Sequence, residues 1–430
     1  MSREMKDSGV EWIGEIPKTW NIAAIKRNFN IKSGATPITT REEYWGGSIP
    51  WITPADYKTE DVYVYEGRRC LSEMGYNACG VSIIPKESII FSKRAPIGTV
   101  CINKVPLCTN QGCLSCIPRE KTNNKYFYYL MSIATKQFYL YSSGTTFKEI
   151  SAESFSNFLL PIPLYEEQKL IANYVDCKCN KISKILENIQ NSIEDYKKLK
   201  KSIITQAISR GIDYNHNSVM KDNESIWFPN IPTHWEMKKI KYLFHIKKEI
   251  AGKEGITVLS ITQRGIMPKN TDKNEGQLAA DYSNYQIVSK GDFAMNHMDL
   301  LTGWVDISKY DGVTSPDYRV FVLNDKSKYD NRYYLYLMQM CYFNKIFYGL
   351  GQGVSGLGRW RLQSDKFLNF KVPVPPIKEQ REIVSYLDKE CSEIDKLIKV
   401  KEQYLIELKN YKSSLIYEYV TGKKEVPNNE

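Results

Sequence analysis

The sequence predicts an α+β protein: two mixed α/β modules joined by two long helices, which pair as an antiparallel intramolecular coiled coil in a pseudo-twofold tandem repeat. Three observations predict it: two motifs that each occur twice, alternating strand-like and helix-like segments between them, and a heptad seam after each module. The opening motif Ile16-Pro17-Lys18-Thr19-Trp20 returns as Ile231-Pro232-Thr233-His234-Trp235, an offset of 215 residues. Asp7, Trp12, Ile25 and Lys26 return with it as Asp222, Trp227, Ile240 and Lys241. The closing motif returns at an offset of 212 residues, Phe158, Pro161, Pro163, Glu167, Gln168, Ile171, Tyr174 and Asp176 matching Phe370, Pro373, Pro375, Glu379, Gln380, Ile383, Tyr386 and Asp388. Two matches in the same order at nearly equal offsets mark a duplication, and so long a period means two domains rather than a solenoid.

Each unit opens on a Trp-flanked Ile-Pro turn and continues through short runs of β-branched and aromatic residues punctuated by Gly and Pro, which predict strands. In the first unit these are Val81 to Ile84, Ser88 to Phe91 and Thr99 to Ile102; in the second, Ile256 to Ile261, Tyr285 to Val288 and Tyr318 to Leu323. Lys125 to Tyr139 and Asn331 to Phe347 carry their apolar residues on one helical face. A proline pair closes each module before Glu-Gln opens a long helix. The expected boundaries are 1–164 for the first module, 165–212 for a central helical spacer, 213–376 for the second module and 377–430 for a C-terminal helical spacer.

Within the spacers, apolar residues alternate at steps of four and three. The seam runs through Ile182, Leu186, Ile189, Ile193, Tyr196, Lys200, Ile203 and Ala207, and again through Ile394, Ile398, Lys401, Leu405, Leu408, Lys412, Leu415 and Tyr419. A stripe this narrow and sustained suits a matching helix better than the surface of its own module. Lys200 and Lys412, at matching positions, either set the register or snorkel at the seam edge. Two duplicated modules on one coiled coil imply an approximate twofold, which suits a ligand with two sites at a set distance, such as DNA half-sites.

At 430 residues the chain exceeds one ordinary core. No apolar run approaches the roughly 18 to 20 residues that span a bilayer, and the polar start Met1-Ser2-Arg3-Glu4 lacks a signal-peptide core, so a cytoplasmic location is expected. Ten scattered cysteines suit a reducing compartment without structural disulfides. A net charge of +10, from 59 basic against 49 acidic residues, favours polyanionic partners, and 30 tyrosines suit wet or nucleic-acid surfaces as well as cores.

Catalytic signatures are missing from the sequence. It has no Walker loop, no His-Glu-x-x-His helix, no amino-methyltransferase motif and no helicase box. Gly351-Gln352-Gly353-Val354-Ser355-Gly356 has dinucleotide spacing but follows a helix-like run, so a polar loop ending in Arg359 and Arg361 is expected instead. Ser142-Ser143-Gly144-Thr145-Thr146 is its counterpart in the first unit. Cys101, Cys108, Cys113 and Cys116 have no equivalent in the second unit and read as core thiols rather than metal ligands; His216, His234, His245 and His297 are too dispersed for a ligand set. No metal and no catalytic residue is therefore assigned.

Over nearly its whole length the chain resembles the specificity subunit of Type I restriction-modification systems. The resemblance rests on the repeated Trp12–Trp20 and Trp227–Trp235 segments, the repeated Pro161-Ile162-Pro163-Leu164-Tyr165-Glu166-Glu167-Gln168 and Pro373–Gln380 segments, the paired helices, Gly291-Asp292, and Ser315-Pro316-Asp317-Tyr318. It implies that each module is a target recognition domain reading one half of a bipartite, asymmetric DNA site, with the helices as a ruler. It also implies a non-catalytic subunit that binds no cofactor itself. Its partners would be double-stranded DNA, two modification (methyltransferase) subunits carrying S-adenosylmethionine, and restriction/translocase subunits using ATP and Mg. The first unit departs from the pattern with Lys86-Glu87-Ser88 where the second has Lys290-Gly291-Asp292. Two alternatives are a coiled-coil tether without DNA reading and the specificity partner of another multisubunit restriction-methylation system.

On this reading the candidate DNA-binding residues are polar and basic positions in loops that follow or join strands. In the first unit they are Lys32, Ser33, Thr36, Lys93, Arg94, Asn110, Gln111, Thr145 and Lys148. In the second they are Lys247, Lys248, Gln263, Arg264, Asn296, His297, Gln352, Arg359 and Arg361. Arg pairs bidentately with guanine and Asn or Gln with adenine, whereas Lys mostly meets phosphate. Lys197, Lys198 and Lys201, away from the seam, would face partner subunits or the spacer backbone.

Overall fold

The two ends of each repeat pair with each other. In the computed structural model, which describes residues 3–59, 61–144, 148–212, 219–269, 281–353 and 360–427, strand Asn21–Ala24 runs antiparallel to Leu159–Ile162, and Glu236–Lys239 to Lys371–Val374. The duplicated motifs therefore close each module. They place Trp20 and Trp235, both fully buried, in the two main cores. Contacts divide the chain into one unit of Met1–Gln190 with Gln403–Glu430 and a second of Asn191–Glu402, so each unit holds one module and a piece of both long helices.

The first unit carries a five-stranded sheet in the order Phe29–Ser33, Cys113–Pro118, Ile89–Ser92, Val100–Asn103, Tyr63–Val64. A smaller sheet stands beside it, Trp45–Ile52 flanked by Cys108–Thr109 and Arg69–Leu71. The second unit has a four-stranded counterpart, Phe244–Lys247, Arg319–Leu323, Phe293–Met295, Val305–Ile307. Helices Asn124–Ile133 and Asn331–Phe343 pack on these sheets.

Local detail departs from the sequence reading in three places. Val81 to Ile84 forms no strand. Pro85 follows it, and the run makes a single bridge, Ile84 with Leu107. The run from Lys125 to Tyr139 is two helices broken at Ala134, and the run from Asn331 to Phe347 breaks at Lys345, which has φ 58° and cannot continue a right-handed helix. The departure at Glu87 leaves the turn itself unchanged. Glu87 adopts φ 67° where Gly291 has φ 94°. Its carboxylate is held by Lys104 at 2.7 Å and Asn124 at 3.1 Å, contacts that set against the roughly 1–2 kcal/mol a non-glycine residue loses in that region.

The positions shared by the closing motifs have a common structural reason. Gln168, almost fully buried, donates from Nε2 to the Pro163 carbonyl at 3.0 Å and accepts at Oε1 from the backbone N–H of Asn123 at 2.9 Å. Gln380 does the same with Pro375 at 2.8 Å and Asp330 at 2.8 Å. Asn123 and Asp330 are the N-caps of the two packed helices. One glutamine thus ties the start of the long helix to the start of the module helix. Asp176 and Asp388 add a second tie, accepting from Tyr129 and Tyr336 at 2.8 and 2.7 Å and pairing with Lys125 and Arg332 at 2.6 Å each.

The long helices span Tyr165–Arg210 and Ile377–Val420. In the first unit Tyr174 lies 4.7 Å from Tyr419, and Ser183 accepts from Lys412 at 2.9 Å. In the second, Lys401 Nζ sits 5.5 Å over the Tyr196 ring, and Lys200 Nζ lies 2.7 Å from both carboxylate oxygens of Asp395. Rising numbers on one helix meet falling numbers on the other, so in each unit the pairing is antiparallel. Ile182, Ile193, Ile394 and Leu415 are buried; Leu186, Ile189, Ile398, Leu405 and Leu408 are half-buried between exposed neighbours, and Ile203 is half-buried beside buried Ile204. Lys200 and Lys412 are half-buried, and their heads reach across to the opposite helix.

Candidate nucleic-acid interface

Antiparallel pairing brings three strand ends to one edge of each main sheet. In the first unit Leu114 pairs with Ser33, and Cys113 with Ser92, so the loops after Ser33, after Ser92 and before Cys113 leave the sheet side by side. In the second unit Lys247 pairs with Val320 and Met295 with Arg319, which gathers the corresponding loops.

At the first edge, Gly34 is required by close approach: a Cβ there would lie 2.2 Å from the carbonyl oxygens of Thr109 and Asn110. The side chains of Thr36 and Gln111 hydrogen-bond to each other. Asn110 folds its Oδ1 back to accept from Gly112 N–H at 3.0 Å. Lys93 and Arg94 both pair with Glu149 at 2.8 Å, and Lys93 is mostly covered, so much of their charge is used internally. Burial opposes ionisation of Glu149, but the two cations prevail and hold its carboxyl below the ordinary value. Lys148 Nζ rests 4.2 Å over the Tyr139 ring, and Lys32 and Ser33 are exposed on their strand. Thr145 lies outside the described residues.

The second edge is built differently. Lys247 is spent on Asp292 and Ser289, each at 3.0 Å, whereas Lys248 is exposed. Gln263 donates to the Thr302 carbonyl at 3.3 Å, Arg264 is exposed at the next turn, and Asn296 accepts at Oδ1 from Met298 N–H at 3.2 Å. Gln352 and Arg361 are opposite one another on a short ribbon and both exposed; Arg359 lies outside the described residues. The ribbon is anchored by Trp360, whose indole stacks 5.3 Å from Tyr348 and donates to the Tyr348 carbonyl at 2.5 Å. His297 accepts at its carbonyl from Leu362 N–H at 3.0 Å, which joins the loop after the third strand to the ribbon.

Arg319 belongs to the second edge, while Arg68 and Arg69 lie at the smaller sheet of the first unit. Arg319 begins a strand that reads as apolar, is 3% exposed, and donates to the Leu362 carbonyl at 2.9 Å and Ser364 Oγ at 3.2 Å. It also covers the Phe367 ring at 4.6 Å, and thereby fixes the chain that leaves Arg361. In the first unit Arg69 lies 3.4 Å over the Trp45 ring, and its neighbour Arg68 donates to the Ala55 carbonyl at 2.9 Å.

His297 is buried, and its Nδ1 has no hydrogen-bond partner among the described residues. Burial first, then the Arg319 and Arg361 charges, push its pKa down to about 3 against the opposing Met295 carbonyl. The ring is therefore neutral near pH 7. An unfolded histidine titrates near ~6.5. Above that value both states are neutral and the second unit keeps its full stability. As pH falls from about 6.5 toward about 3, only the unfolded chain takes the proton, and stability drops by up to about 1.4 kcal/mol per pH unit. Denaturant midpoints measured across this range should show that slope, and His297→Asn should flatten it; an unchanged slope in the variant contradicts the assignment.

Among the described residues no group of three His, Cys, Asp or Glu side chains is arranged to hold a metal. All ten cysteines are free. Burial pushes the Cys108 thiol up to about 11 and the Cys113 thiol up to about 12. No helix among the described residues is long and apolar enough to cross a membrane.

Comparison with known proteins follows the same division into repeats. A family model for the Type I restriction modification DNA specificity domain matches residues 17–195 and again 232–410. The Type I restriction enzyme MjaIX specificity subunit of Methanocaldococcus jannaschii is 36% identical over 239 residues, 53% of this chain and 52% of that protein, so the match spans about half of that relative. The MjaVIII specificity subunit of the same organism is 26% identical over 435 residues, 96% of this chain and 95% of the relative. Among solved structures, a chain from a study of assembly and conformational transition in the type I R-M system superposes with a TM-score of 0.70 at 13% identity, covering 95% of this chain and 99% of that one. The HsdS subunit from Thermoanaerobacter tengcongensis does so with a TM-score of 0.51 at 14% identity, covering 95% and 98%. At these identities the structural likeness speaks for the fold alone. The twofold match of the family model covers most of the chain, and the protein belongs to the Type I restriction modification DNA specificity domain family.

Proposed function

We propose that this chain reads a bipartite, asymmetric sequence in duplex DNA and directs modification and restriction subunits to it, without doing chemistry itself. One observation carries the reading. The two units share the framework that closes each module, yet present different polar side chains at the same edge of the main sheet. Ser33, Thr36, Arg94 and Gln111 stand at the first edge; Gln263, Asn296, Gln352 and Arg361 at the second. Arginine and amide side chains are the groups that discriminate guanine and adenine in the major groove. A common frame with divergent readers suits two unlike half-sites. The partners on this reading are duplex DNA, two methyltransferase subunits and restriction/translocase subunits in the cytoplasm, with S-adenosylmethionine, ATP and Mg bound by those subunits.

Mapping of modified adenine tests the proposal in cells carrying the neighbouring modification gene. With this gene present, methylation should be confined to one split motif. Methylation that is the same with and without this gene, from a partner shown to be active, contradicts it.

A further inference from the structure

The duplication supplies an internal control on the outer faces of the long helices. In the second unit, a cavity of about 690 Å³ opens between the last turns of helix Tyr165–Arg210, Trp227 and Asn344. Lys198, Lys201 and Arg210 line it together with Thr205 and Gln206, and among the described residues no acidic side chain does. Lys198 also lies 3.1 Å from Asp195, an exposed pair on the same helix; Lys201 Nζ sits 5.8 Å over the Phe343 ring.

The first unit closes the same place. By the offset of the closing motif, Lys198, Lys201, Thr205 and Gln206 correspond to Asn410, Ser413, Tyr417 and Glu418. The Tyr417 hydroxyl reaches the carbonyls of Trp12 and Ile13 at 3.1 and 3.3 Å, and Glu418 pairs with Lys424 at 2.8 Å. Thr205 is too short to make that reach toward Trp227. The seam keeps its spacing in both copies, with Ile182 and Lys200 matched by Ile394 and Lys412, while Lys198 and Lys201 on the outer face are matched by the uncharged Asn410 and Ser413. A merely solvated helix face would need neither a groove nor this charge difference.

We infer that the groove beside Trp227 holds the phosphate backbone of duplex DNA outside the bases read by the second unit. The inference rests on the DNA-reading proposal. A concave groove whose described lining is cationic and free of carboxylates suits a polyanionic ridge, and Gln206 can donate to phosphate oxygens, whereas the Thr205 hydroxyl donates to the Lys201 carbonyl at 2.8 Å and accepts from Asn344 at 2.9 Å. Packed residues also link the groove to the candidate reading edge. Trp227 packs on Gly349, which precedes strand Gln352–Gly353; Asn344 ends the helix whose Tyr342 hydroxyl donates to the Asn296 carbonyl at 2.6 Å.

The test uses the full chain co-purified with its modification subunit and a duplex carrying the mapped motif, titrated across a salt series. Replacing Lys201→Gln and Arg210→Gln together should make the slope of log affinity against log salt shallower by about 2, with the preference for the motif over a scrambled duplex unchanged. Thr205→Tyr, which refills the groove without altering charge, should weaken binding and reduce the slope as well. Unchanged slopes in both variants overturn the inference, and unchanged slopes with loss of the co-purifying modification subunit overturn it in favour of a protein-docking groove. Absence of salt-dependent duplex binding by the unaltered complex is a separate failure, that of the DNA reading itself.

Discussion

Replacing Gln380 by leucine should destabilise the second unit by about 2–5 kcal/mol, because it strands a buried carbonyl and a part-buried amide at once, each at roughly 1–3 kcal/mol. The side chain is fully buried, and its two 2.8 Å hydrogen bonds satisfy the Pro375 carbonyl and the Asp330 N–H. Leucine fills nearly the same volume, so the loss comes from unsatisfied polar groups rather than a cavity. Against a domain stability of roughly 5–15 kcal/mol, this is a large fraction. Hydrogen exchange should locate it: amides in Asn331–Phe343 and at the start of Ile377–Val420 lose protection, while those in Asn124–Ile133 keep theirs. Gln168→Leu should give the mirror result in the first unit. Equal loss of protection in both units would contradict the account of these residues as local ties.

These ties explain why the ends of the repeats were legible in the sequence and the middles were not. Trp20 and Trp235 fill the two cores, and Gln168, Gln380, Asp176 and Asp388 each meet fixed backbone or side-chain partners inside the framework, so their spacing has to be retained in both copies. The heptad seam was legible for a related reason: helix pairing depends on a period of the chain alone. The reading edges obey no period. Lys93 and Lys247 look like free loop cations, yet Glu149 and Asp292, distant in sequence, cover and pair them. Arg319 looks like part of an apolar strand and proves to brace the ribbon that carries Arg361. Only tertiary pairing decides such cases.

The first compact unit is discontinuous in sequence. Motifs place boundaries where the helices begin, but the helices return, so that Gln403–Glu430 belongs with the first module. Leu415, Ile416, Tyr419 and Val420 join its core, and the Tyr126 hydroxyl donates to the Val420 carbonyl at 2.8 Å. Sequence order could not show this, because the residues that meet are 294 positions apart.

The central claim is that each unit reads its own half of one DNA site, and exchanging a single reading segment tests it most directly. Residues 21–157 suit the exchange, since Asn21–Ala24 pairs with Leu159–Ile162 and the foreign segment would begin and end at one place in the framework. The measurement is a map of modified adenines in cells carrying the modification gene with either the original gene or one whose residues 21–157 come from a relative. The account predicts that one half of the split motif is replaced while the other half and the spacing stay as they were. A motif in which both halves change, or neither does while methylation remains active, would contradict it.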